Sequence, residues 1–66
     1  MTYKQGKNII DSIFEATARG YETDAERLSI SKISQWFERG EIGARTFERL
    51  DNYIFDKTAF EIAARA

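Results

Sequence analysis

The segment Ser29-Ile30-Ser31-Lys32-Ile33-Ser34-Gln35-Trp36-Phe37-Glu38-Arg39-Gly40-Glu41-Ile42 decides how this chain is read. On a helix turning about 100° per residue, Ile30, Ile33, Trp36 and Phe37 fall within an arc of about 120°. Ser31, Lys32, Gln35, Glu38 and Arg39 take the opposite side. A helix stop at Gly40 and a buried anchor at Ile42 are expected to follow. A short rod of this kind serves two ends: one stave of a small helical bundle, or a rigid edge that enters a nucleic-acid groove.

Upstream, Thr23-Asp24-Ala25-Glu26 has the spacing of a capping box, so a helix is expected to begin at Asp24. Two courses are open from there. The helix runs unbroken to Arg39, or it breaks near Leu28-Ser29 with Ser29 capping a second helix. Ser29, Ser31 and Ser34 compete for backbone groups, which favours the break. An earlier helix is expected over 8–19, where Ile9, Ile10, Ile13 and Phe14 form one stripe. Asn8 would cap it, Asp11 would meet the positive end of the dipole, and Gly20 would stop it.

Downstream, Gly40-Glu41-Ile42-Gly43 turns the chain. From Ala44 to Ile54 the residues Phe47, Leu50 and Ile54 share a helical face. Beyond Ile54 that stripe loses register with Phe55, Ala59 and Phe60. A turn at Asp51-Asn52 and a last helix from Lys57 to Ala64 capped by Asp56 are therefore expected within the helical region 44–64. A β-hairpin across 44–55 is the alternative. The fold expected is all-α: a single domain over 1–66, a bundle of three to four helices with a helix-turn-helix-like unit at 24–39. A winged helix follows if 44–55 is a hairpin.

Composition narrows the function. Cysteine and histidine are both absent, which removes disulfides, thiol and imidazole catalysis and the usual zinc ligands. No cofactor, metal or catalytic residue is expected: no nucleophile or phosphate cradle accompanies Glu38 and Glu41. No run of about 18 apolar residues is present, so no membrane span is expected. Met1-Thr2-Tyr3-Lys4 reads as a gene start, and a reducing cytoplasm is the expected setting. Ten basic and eleven acidic side chains give a net charge of −1, unusual for a DNA-binding domain, whose affinity comes largely from phosphate neutralisation. The nine aromatics (one Trp, three Tyr, five Phe) are many for one small core, so part of that surface is expected in an interface, through homodimerisation or a partner.

Leu28-Ser29…Ile33-Ser34-Gln35-Trp36…Arg39-Gly40-Glu41-Ile42 resembles the recognition-helix half of small phage Cro and CI-type helix-turn-helix regulators. The likeness covers about residues 9–50, with Ser29 where the turn usually has glycine. Trp36, Ile42, Tyr53-Ile54-Phe55 and Ala59 are also similar to phage excisionases, small winged-helix proteins that bend DNA. Ile33…Trp36…Gly40-Glu41-Ile42…Phe47…Leu50 is similar to short helical hairpins near bacterial protein C-termini, thought to mediate oligomerisation.

The first two resemblances imply a small phage or mobile-element regulator of double-stranded DNA, acting as a homodimer. Ser31, Lys32 and Gln35 would touch base edges, and Arg39, Arg45 and Arg49 would hold phosphates. Phe55 and Phe60 are expected in the core or at a dimer or partner interface. The other function expected is a small helical protein-binding factor, such as a phage inhibitor or adaptor, docking its surplus aromatics on a host protein.

Overall fold

The computed structural model describes residues 1–17 and 22–65, the side chains of residues 22, 23 and 65 excepted. Three helices account for nearly all of them: α1 Tyr3–Ala16, α2 Glu22–Glu38 and α3 Ala44–Arg65. The protein is a small all-α bundle, and no strand occurs among the described residues.

Helix α1 begins five residues before the expected cap at Asn8. The Thr2 hydroxyl accepts from the Gln5 backbone amide at 3.2 Å, and the Gln5 side-chain oxygen accepts from the Thr2 amide at 2.9 Å. This closed capping box satisfies two donors that Asn8, inside the helix, has no need to serve. The helix ends at Ala16, where Thr17 turns extended (φ −80°, ψ 134°). The Thr17 hydroxyl donates to the Ile13 carbonyl at 2.8 Å. The expected stop at Gly20 lies outside the described residues, whereas α2 already includes Glu22 and Thr23, so it starts two residues before the expected Asp24 and Thr23 does not cap it.

Helix α2 is one uninterrupted helix, so the break expected at Ser29 does not occur. Ser29 caps nothing: it is fully buried inside the helix, in line with the buried residues Ala25, Ile33 and Trp36. Spacings of four, four and three residues put those four side chains on one stripe. Bending the chain at Ser29 would pull one end of that stripe out of the core. The inward face is also rotated from the expected one. Ile33 and Trp36 are buried, whereas Ile30 and Phe37 remain 37% and 46% exposed.

The stop at Gly40 forms as expected. Gly40 has φ +75°. Its amide donates to the Phe37 carbonyl at 3.1 Å, and the Glu41 amide reaches the Trp36 carbonyl at 2.8 Å. This paired closure is a Schellman motif, which requires a left-handed residue that glycine supplies without a Cβ penalty. Ile42 follows as the buried anchor.

Helix α3 runs from Ala44 to Arg65 without a turn at Asp51-Asn52, a restart at Asp56 or a hairpin at 44–55. The buried stripe Leu50, Ile54 continues into Thr58 rather than into an apolar residue. The Thr58 hydroxyl is satisfied by the Ile54 carbonyl at 2.9 Å, which lets a polar residue carry the stripe past the point where apolar periodicity fails.

A 22-residue helix is about 33 Å long and a 17-residue helix about 25 Å. The molecule measures 37 × 17 × 16 Å, so α2 must fold back along α3. Across the turn, the Phe37 and Phe47 rings lie 5.2 Å apart. On α1, Tyr3 meets Arg49, Lys7 meets Tyr53, and Asp11 and Phe14 meet Lys57 in ascending order. Helix α1 is therefore parallel to α3.

Ile10, Ile33, Trp36, Ile42, Leu50 and Ile54 form the core shared by the three helices and the turn. Gly6 admits α1 to it. A Cβ there would lie 2.9 Å from Leu50 Cδ1 and 3.4 Å from Trp36 Cζ3, so the absent side chain is where the α2–α3 pair closes on α1.

Trp36 touches this junction from the middle helix. Trp36→Ala should cost about 3–5 kcal/mol, read as a fall in the urea midpoint, or as an unfolded chain by circular dichroism. Retention of wild-type stability would place the indole outside the core.

Candidate partner-binding surfaces

Ser31, Lys32 and Gln35 all point to solvent on α2, as their expected role requires. Arg39 is also exposed but lies past the helix end, in the turn, with its amide donating to the Gln35 carbonyl at 3.0 Å. Glu38 is exposed beside them, three residues from Gln35, and places a carboxylate on the same side. Arg45 and Arg49 are exposed one turn apart on α3. The Arg49 guanidinium stacks over the Tyr3 ring at 4.1 Å, which fixes it at the α1–α3 seam. The six residues thus divide among the exposed side of α2 (Ser31, Lys32, Gln35), the turn that follows it (Arg39) and α3 (Arg45, Arg49), with Arg49 held at the α1–α3 seam.

That seam also holds a connected polar group that nothing in the sequence periodicity announces. The Tyr53 hydroxyl donates to the Asp11 carboxylate. The Lys57 ammonium lies 3.4 Å from the same carboxylate and 5.5 Å from the centre of the Phe14 ring. Lys7 covers Tyr53 at 5.4 Å. Partial burial, then the bond to Asp11 and its negative charge, push the Tyr53 pKa well above the ordinary tyrosine value. The contacts lock α1 to α3 in register. Each member of the group is engaged by its neighbours, so its evident role is structural.

Phe55 and Phe60, expected in the core or an interface, are 68% and 71% exposed. Both are outside the core. Two positions apart from Tyr53, Phe55 is turned about 200° from it, away from α1. Ile62 lies two turns further along the same side of α3 and is also exposed. Ile30 and Phe37, seven apart on α2, continue this apolar strip across the seam with α3, joined through the Phe37–Phe47 contact. Ile30 and Phe37, expected inside, are thus partly exposed, and Ile62 joins them. The seven-residue spacing of Phe55 and Ile62, off the Leu50–Ile54 stripe, was the available signal.

A surface depression is lined by Met1, Gln5, Asn8, Ile9 and Glu41, and the Met1 ammonium there donates to the Glu41 carbonyl at 3.0 Å. Among the described residues no cluster of metal-ligating side chains occurs, and no helix is long and apolar enough to cross a membrane. Comparison with known protein families, with curated proteins and with solved structures finds no match to this chain.

Tyr53→Phe removes the bond to Asp11 and should cost about 1 kcal/mol at neutral pH, the low end for a charged partner because the seam is half-exposed. A tyrosine whose folded pKa is raised contributes stability that is complete below its unfolded value near 10 and is lost as pH climbs through the folded value. The stability gap between wild type and Tyr53→Phe, measured by urea denaturation, should therefore narrow above about pH 10. A gap that stays constant into that range would contradict the assigned bond.

Proposed function

We propose that this chain is a small helical protein-binding factor, of the kind exemplified by a phage inhibitor or adaptor that docks on a host protein. The observation that carries this reading is the exposure of Phe55 and Phe60. Together with Ile30, Phe37 and Ile62 they leave a large share of the apolar side chains uncovered. Burying one such side chain fully is worth roughly 1.5–3 kcal/mol, and contiguous exposed apolar surface marks an interaction site more often than isolated exposed residues do. A reducing cytoplasm is the setting that fits a chain without cysteine.

Binding of duplex DNA is the second reading, favoured by the joint exposure of Ser31, Lys32 and Gln35 on one side of α2. It follows the resemblance to helix-turn-helix regulators and would call for a homodimer, since one module with few free cations binds phosphates weakly. The bend that would have set a separate reading helix at Ser29 is missing, and Arg49 is held on Tyr3. Docking on protein is therefore the better-supported function.

An electrophoretic shift with random duplex at low salt separates the two. Protein docking predicts no retardation at tens of micromolar chain. A salt-sensitive shift that disappears in the Lys32→Ala, Gln35→Ala double variant, with its melting temperature unchanged, would overturn the protein reading in favour of DNA.

A further inference from the structure

The exposed apolar strip has a direction, a length and a charge. Phe37 and Phe47 touch at one end. Seven residues back along α2 and eight forward along α3, rises of about 10 and 12 Å, Ile30 and Phe55 stand at nearly the same height on the two sides of the seam. Ile62 extends the strip by two further turns. From Phe47 to Ile62 it spans about 22 Å, the length of a helix of about 15 residues. Helix α1 occupies the other flank of the α2–α3 pair, so this flank is where a fourth helix would stand in a four-helix bundle.

Acidic side chains border the strip. Asp51 lies four residues from both Phe47 and Phe55 on α3, Glu48 seven residues before Phe55, and Glu26 four before Ile30 on α2. The cations are mostly elsewhere. Lys7, Arg49 and Lys57 sit on rings at the α1–α3 seam, and Arg27 is bonded to Asp24 at 2.9 Å. Arg45 lies two residues before Phe47 on α3. A second copy laid on this face would bring one acidic border against another. A helix with an apolar stripe and lysine or arginine on its margins meets both the strip and the charge.

We propose that the α2–α3 face formed by Ile30, Phe37, Phe55 and Ile62 docks a basic amphipathic helix of a partner protein and completes a four-helix bundle. This rests on the protein-binding reading above and names the partner's chemistry. Glu26, Glu48 and Asp51 select the basic margins, and Phe55, the most exposed residue of the strip, is its anchor. Phe60, turned about 140° from Phe55 on α3, takes no part.

The test is fluorescence anisotropy with three labelled 18-residue model peptides that share one leucine stripe and carry lysine, glutamine or glutamate on the polar side. The lysine peptide should bind wild type at least about tenfold more tightly than the glutamine peptide, a difference near 1.4 kcal/mol, and the glutamate peptide should bind weakest. Added salt should narrow the gap. Phe55→Ser should weaken the lysine peptide by about tenfold or more, while Phe60→Ser stays within about twofold.

Equal, Phe55-dependent binding of the lysine and glutamine peptides would overturn the charge assignment and leave protein docking standing. Equal losses in Phe55→Ser and Phe60→Ser would overturn the location. A Phe55-dependent dimer in sedimentation equilibrium would make a second copy the occupant and refute the basic-partner proposal. Failure of all three peptides on a monomeric chain would overturn this inference, while the protein-docking function would still stand or fall by the electrophoretic test above.

Discussion

Everything in this bundle depends on α2 staying straight through Ser29. The stripe Ala25, Ser29, Ile33, Trp36 is the side of that helix turned to the core, and its four members are all buried. Ser29 brings a cost, because its hydroxyl has no hydrogen-bonding partner and a buried unpaired hydroxyl destabilises by about 1–3 kcal/mol. Freeing it as an N-cap would recover about 0.5–2 kcal/mol. The bend needed for that would expose one arm of the stripe, and losing a residue the size of Ile33 from a core costs about 2–5 kcal/mol. Packing wins, and the serine is carried inside.

A straight α2 fixes the rest. Its C-terminal closure at Gly40 throws Ile42 into the core and sends α3 back alongside. The glycine at position 6 lets α1 settle on the seam so formed, with Trp36 and Leu50 against its bare backbone. Once α1 has taken one flank, its partners there are settled: Arg49, Tyr53 and Lys57 meet Tyr3, Lys7, Asp11 and Phe14. Much of the basic charge gathers on that flank and is occupied. The other flank keeps its phenylalanines, isoleucines and carboxylates. The asymmetry is a consequence of where three helices can lie, and the docking face proposed above rests on it.

Much of this was legible in the residues. The all-helical class, the helical turn at 40–43, the burial of Trp36 and Ile42, and the shared face of Phe47, Leu50 and Ile54 all follow from periodicity and glycine placement. The capping box Thr2-Tyr3-Lys4-Gln5 was equally legible and was read as a mere chain start. What escaped has a common cause: two polar residues do the work of apolar ones. Ser29 and Thr58 sit on buried stripes, so a reading that counts only apolar positions breaks α2 at the first and α3 before the second. The same count turns the inner face towards the apolar arc that takes in Ile30 and Phe37, whereas burial follows the stripe that carries Ser29. The site followed the fold. Ser31, Lys32 and Gln35 are exposed as expected, but the surface richest in unmet apolar groups lies on the other side of α2. Contacts 42 and 46 residues apart, Asp11–Tyr53 and Asp11–Lys57, carry no local signal at all.

Ser29→Ala decides whether this description of α2 holds, because the two possible roles of the serine give opposite signs. Inside an unbroken helix, removing an unpaired buried hydroxyl and substituting a better helix former should raise the free energy of unfolding by about 0.5–1.5 kcal/mol, seen as a higher urea midpoint at unchanged slope. A serine that capped a second helix would instead lose about 0.5–2 kcal/mol on the same change. A lowered midpoint would mean that the chain bends beside Leu28, and with it the inner face of α2 and the docking strip drawn from it would have to be abandoned.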